Sequence, residues 1–123
     1  MKLPDYIYVD VNVPVPRNID PDFVPAVRQF LKTDPLKTLD LISALRFYEV
    51  DADGQLYEVN SARFYGKEGA ERYSMTLTKT IECYAKVFRT EEDDNDFVNI
   101  RYSFVFNNGK LDEIRIKENA NEI

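Results

Sequence analysis

The 123-residue chain contains no histidine and a single cysteine, Cys83. The first absence removes imidazole proton shuttling, Ser-His and Cys-His nucleophile activation and histidine metal ligation from the chemistry open to the chain alone. The second excludes an intrachain disulfide and a thiolate zinc site, and fits a reducing compartment. Long apolar runs are missing as well. No stretch reaches the roughly 18 apolar residues that would suggest a membrane span, and Asp5 and Asp10 interrupt any signal-peptide core. These features lead us to expect a cytoplasmic protein without a membrane partner. Internal repeats, low-complexity segments and linkers are also absent, so residues 1–123 are expected to form one domain.

What is present is a 44% hydrophobic chain with 16 basic and 22 acidic residues, a formal net charge of −6. That balance repels phosphate backbones, and nucleic acid is not an expected partner. Carboxylate, lysine and tyrosine chemistry remain, but no spacing singles out a pair. No catalytic residue, metal ligand or cofactor is nominated, and a non-enzymatic role is expected.

The hydropathy pattern indicates an α+β fold: an N-terminal strand, two short helices, then a long antiparallel β-meander packing one face on the helices. Residues 6–15 alternate, with Ile7, Val9, Val11, Val13 and Val15 on one face. Pro14 suits only an edge or a strand end, so an edge strand is expected. Two Asp-Pro steps, Asp20-Pro21 and Asp34-Pro35, read as helix starts, because aspartate accepts from orphan N–H groups and proline at the first turn sacrifices no bond. The first helix gathers Phe23, Val24, Ala26, Val27, Phe30 and Leu31, with Pro25 kinking its start or moving it later. The second would gather Leu39, Leu41, Ile42 and Leu45 and point Asp40 outward to solvent.

From about Arg46 the chain reads as a meander. Val50 to Leu56 is a tight hairpin with Gly54 left-handed. Glu91–Asp94 as a loop pairs Phe88 with Phe97, Tyr84 with Arg101, Val87 with Val98 and Ile81 with Phe104. A three-residue turn, Asn107-Asn108-Gly109, pairs Phe106 with Lys110 and Tyr102 with Ile114. Even positions from Val98 to Ile116 then face the core together with Met75, Leu77, Ile81, Cys83, Ala85 and Val87. Gly66-Lys67-Glu68-Gly69 lacks the spacing of a phosphate loop. The acidic run Glu91, Glu92, Asp93, Asp94 and Asp96 lacks the alternation and glycine of a calcium loop and reads as a solvated hairpin tip. Asp51-Ala52-Asp53-Gly54 is turn chemistry.

Two surfaces stand out. Tyr84, Phe88, Phe97, Arg101, Val105 and Leu111 fall on the outward sheet face and nominate an interface for a protein partner or a second copy. Lys79 is the one charge on the inward face of its strand, which calls for a bulge, a sheet bend, a carboxylate or a ligand anion. With Tyr73, Tyr102 and Phe106 it nominates a small-molecule pocket.

The order strand, helix pair, meander, and the ending Tyr102-Ser103-Phe104-Val105-Phe106-Asn107-Asn108-Gly109-Lys110-Leu111, resemble the cystatin-like and nuclear-transport-factor-2-like rolls. The resemblance implies a helix in the concave side of a curved sheet, with a cone that binds a small apolar ligand or hosts isomerase or dehydratase chemistry. The chain departs from those enzymes in having no histidine, and no catalytic residue is carried over. Fold would not fix function in any case.

Overall fold

The computed structural model describes residues 3–41, 45–59 and 71–117. Ile42 of the expected second helix and the Gly66–Gly69 segment lie outside these residues. In chain order the elements are β1 (Asp5–Val9), a 3-10 turn (Pro21–Phe23), α1 (Val24–Thr33), β2 (Leu36–Thr38), β3 (Phe47–Val50), β4 (Leu56–Val59), β5 (Arg72–Ser74), β6 (Lys79–Phe88), β7 (Phe97–Asn107) and β8 (Lys110–Ile116). The strands form one eight-stranded sheet in the order β5-β4-β3-β1-β2-β6-β7-β8. The α+β class therefore holds, with one α-helix among the described residues.

β1 is a central strand and not an edge. It pairs parallel with β3, Ile7 against Tyr48, and antiparallel with β2, Ile7 against Leu36. The strand ends at Val9, so Pro14 lies beyond the ladder and imposes no edge. The buried Asp5 accepts from the Arg46 N–H at 2.9 Å, fixing where β3 begins beside β1.

The two Asp-Pro steps do opposite things. Asp20 accepts from the Asp22 N–H at 2.9 Å and opens a 3-10 turn, and Pro25 sits in the first turn of the α-helix that follows. At the second step Asp34 is extended, with φ −116° and ψ 154°, and its N–H closes α1 on the Phe30 carbonyl at 2.8 Å. A residue before proline avoids the helical region. The chain therefore leaves α1 as a strand, and Leu36 and Thr38 are buried where a second helix was expected.

The meander is also interrupted. β5 pairs with β4 at one margin of the sheet, whereas β6 pairs with β2 in the other half. Residues 75–78 cross between them outside any ladder. This crossing is short because the sheet curls until its margins meet: Gln55 bridges Lys110, the Leu56 N–H donates to the Gly109 carbonyl at 2.9 Å, and the Leu111 N–H donates to the Gly54 carbonyl at 2.8 Å. The crossing segment joins the same corner, with the Met75 N–H on the Leu56 carbonyl at 3.0 Å and the Gly109 N–H on the Leu77 carbonyl at 2.7 Å. Gln55 Nε2 donates to the Leu56 and Met75 carbonyls, each at 3.0 Å. Segments near residues 54, 76 and 109 are thereby latched into one corner.

The β6–β7 register is as expected over its whole length, Lys79 against Phe106 through Phe88 against Phe97. The last hairpin differs. Asn107 pairs with Lys110 around a two-residue turn in which both Asn108, φ 53°, and Gly109, φ 84°, are left-handed. Asparagine tolerates that region better than most residues, which permits the tighter turn. An irregularity between Val105 and Phe106 then shifts the register so that Phe104 faces Ile114 and Tyr102 faces Ile116.

The concave side is filled. Ile81, Cys83, Ala85 and Val87 of β6 and Ile100, Tyr102, Phe104 and Phe106 of β7 are buried in one cluster with Ile7, Val13, Ile19, Phe23 and Val27. Burial of each large side chain contributes about 1.5–3 kcal/mol, so this cluster dominates the stability of the fold. The segment leading from β1 to α1 crosses it, tied down where Tyr102 Oη donates to the Pro14 carbonyl at 2.7 Å. Among the described residues no helix is long and apolar enough to cross a membrane.

Candidate functional site

Alternation decides what the opposite face of β6 and β7 displays. Since Ile81 to Val87 and Ile100 to Phe106 turn inward in steps of two, Tyr84, Lys86 and Phe88 turn outward beside Phe97, Asn99 and Arg101. Val27 and Phe23 share the cluster of the inward residues, so α1 lies on the concave side and, among the described residues, no helix covers the outward face.

On this face Phe88 and Phe97 are cross-strand partners. Their ring centroids are 5.8 Å apart at 63°, an edge-to-face contact. Lys86 Nζ stands 4.4 Å from the centroid of the Phe97 ring, a cation–π contact. Phe88 is 42% exposed, a large apolar ring in water. Tyr84 lies between Lys37 of β2 and Arg101 of β7, half-buried beside exposed neighbours. Val105, opposite Thr80, is also half-buried.

Leu111 does not share this face. The two-residue turn makes it the partner of Phe106, so it turns inward, packs against the core and lies against Gly54. A three-residue turn without the shift would have kept it outside.

The patch is bounded at each end by polar structure. At the hairpin tip Arg89 Nε meets Asp96 Oδ2 at 2.6 Å, and its guanidinium also reaches Asp22 at 3.7 Å, which fastens the base of the acidic loop to the 3-10 turn. Glu91, Glu92, Asp93 and Asp94 are exposed beyond it. At the other end Ser103 Oγ donates to Glu82 Oε2 at 2.7 Å, Lys117 Nζ lies 3.7 Å from Glu82 Oε1, and the Glu82 N–H donates to Asp40 Oδ2 at 2.7 Å. Asp40 thus caps the backbone of β6, and is only half-exposed. Pattern reading missed this node because it assigned Asp40 to a helix. Lys86 was legible, since it alternates with Tyr84 and Phe88.

The four residues nominated for a pocket are divided by the fold. Tyr102 and Phe106 are sealed in the core, and burial pushes the Tyr102 phenol above its ordinary range. Tyr73 and Lys79 are exposed: Tyr73 Oη donates to Glu71 at 2.9 Å, and Lys79 Nζ donates to the Asp40 carbonyl. Lys79 is the first residue of β6 and its ammonium reaches solvent, so no buried charge has to be compensated. An open cleft of about 670 Å³ lies elsewhere, between Val9–Val15 and Arg28, Leu31 and Lys32 of α1, and none of the four residues lines it. Cys83 is buried, and desolvation, reinforced by the charges of Asp40 and Glu82, pushes its thiol far above the ordinary range. A thiol so held is not a nucleophile. Among the described residues no group of three or more histidine, cysteine, aspartate or glutamate side chains is placed to hold a metal ion.

No protein-family model matches the chain, and neither a curated protein nor a solved structure is similar enough to it to count as a match.

Proposed function

We propose that the protein is a non-enzymatic binding module that engages a protein partner, a second copy of itself included, through the outward face of β6 and β7. The observation that carries this reading is the Phe88–Phe97 pair, with Phe88 42% exposed on a sheet face that α1 does not cover. Protein interfaces concentrate aromatic rings and arginine, and Tyr84 and Arg101, cross-strand partners on the same face, add to the phenylalanine pair here. A net charge of −6 argues against a nucleic-acid partner. A lone thiol sealed in the core suits a reducing compartment such as the cytoplasm.

Photo-crosslinking tests the reading. A photoreactive residue at position 88 should crosslink to protein in extracts of the source cells or to a second copy, and unlabelled wild type should compete where Phe88→Asp does not. Crosslinking no stronger than from the exposed position Asp53, or competition by Phe88→Asp equal to wild type, would overturn it.

A further inference from the structure

The edge of β8, which no strand among the described residues covers beyond Leu111, carries a second recognition signal, separate from the aromatic face. We infer that two copies of the chain pair through β8, antiparallel and with Ile114 opposite Ile114, continuing the sheet across a twofold axis.

The argument begins with backbone parity. The Lys117 N–H donates to the Arg101 carbonyl at 2.9 Å, so Lys117, and in steps of two Arg115 and Glu113, direct their backbone groups toward β7. Ile114 and Ile116 direct theirs away from it. At the start of the strand the outward side is already occupied, because Leu111 bonds Gly54 and Lys110 bridges Gln55. Beyond that corner, among the described residues, no backbone group meets the outward N–H and C=O of Ile114 and Ile116. An open edge of this kind is a template for another strand.

Parity leaves three symmetric antiparallel registers: Ile114 opposite itself, Ile114 opposite Ile116, or Ile116 opposite itself. Charge chooses among them. The second sets Arg115 against Arg115 between two Glu113–Lys117 pairs, and the third sets Arg115 against Lys117 twice, so each carries a like-charge contact. The first sets Glu113 against Arg115 of the second copy, twice by symmetry. These are non-hydrogen-bonded positions, where Cα atoms approach to about 4.5 Å and like charges are most costly. Within one copy Glu113 Oε2 already holds Arg115 Nε at 2.9 Å, so pairing would close a ring of four alternating charges. Ile114, half-buried at the seam, would face its counterpart on the concave side, with Ile116 of the second copy at the diagonal position.

The test uses full-length protein in sedimentation equilibrium. Wild type should show a monomer–dimer equilibrium. Glu113→Arg and Arg115→Glu, each alone, set like charges opposite one another and should weaken it about tenfold. An equimolar mixture of the two should regain wild-type affinity as a heterodimer, because each copy then supplies what the other lacks. Ile114→Pro should abolish pairing without unfolding the chain, since the N–H it removes points away from β7. Phe88→Asp should leave this dimer unchanged, which separates the edge from the aromatic face. Wild type monomeric to roughly 1 mM, a mixture no tighter than either variant alone, or a dimer lost in Phe88→Asp would overturn the inference. If Ile114→Pro fails to fold, the charge mixture decides alone.

Discussion

The carbonyl oxygen of Met75 lies 1.8 Å from the point where a Cβ on Gly109 would stand. No side chain fits there without parting the crossing segment from the β7–β8 turn. Gly109 also has φ 84°, a conformation that other L-residues adopt at a cost. The latch that joins the sheet's margins is therefore built around a missing methyl group.

Gly109→Ala should lower unfolding free energy by at least about 2 kcal/mol, as strain and steric displacement add. Asn108→Gly should change it by no more than about 1 kcal/mol in either direction, because glycine relieves the left-handed φ of 53° while freeing the unfolded chain. Urea titrations of the two variants beside wild type measure the contrast.

Tyr102→Phe should cost about 1–3 kcal/mol, since it deletes the phenol that serves the Pro14 carbonyl. Native-state hydrogen exchange should show amides of residues 11–19 losing protection before those of β6 and β7. Equal loss everywhere would mean that the hydroxyl stabilises the whole fold and not the strap across the core.

Asp51 supplies an acid-side prediction. Its partial burial raises the carboxyl's pKa, but hydrogen bonds from the Gln55 and Asp53 N–H groups, with the Arg72 charge and Tyr57, outweigh this and leave it lowered. A lowered native pKa contributes stability that is complete above the ordinary aspartate value, near 3.9, and is lost as pH falls through the native value. Asp51→Asn should be less stable than wild type at pH 6, and the gap should close on acidification. Urea midpoints at successive pH values read it directly.

Cys83 supplies the alkaline counterpart. Its raised pKa means that the unfolded chain gives up the thiol proton near pH 8.5 while the native chain keeps it. Stability due to this group is complete below that pH and declines above it. Cys83→Ala should flatten the decline between pH 8 and 10. A thiol reagent should label native Cys83 only at the rate of unfolding.

Much of the sheet was legible because the rule behind it is local. Alternation along β6 and β7, closed by an acidic loop, admits one pairing that keeps apolar against apolar, and that pairing is observed. The remaining errors have physical causes. Asp34-Pro35 contains a helix opener and a helix stop in the same two residues, and the preference of a pre-proline residue for extended backbone won. The two-residue turn at Asn108 moved Leu111 from the outward to the inward side, since a loop shorter by one residue reverses a strand's parity, and the extra residue beside Val105 then returned Ile114 and Ile116 to the inward side. The latch through Gln55 depends on sheet curvature, which no window of sequence carries. On the outward face Tyr84, Phe88, Phe97 and Arg101 could be read from spacing alone, whereas the Asp40–Glu82–Ser103 node joins segments too distant for any spacing rule.

The placement of β1 has a consequence for handling the chain. Among the described residues Asp5–Val9 is the only strand that joins the β3-β4-β5 block to the β2-β6-β7-β8 block by ladders. A protease cut or a deletion that took away Asp5–Val9 would remove the keystone of the sheet and leave two halves touching at one corner.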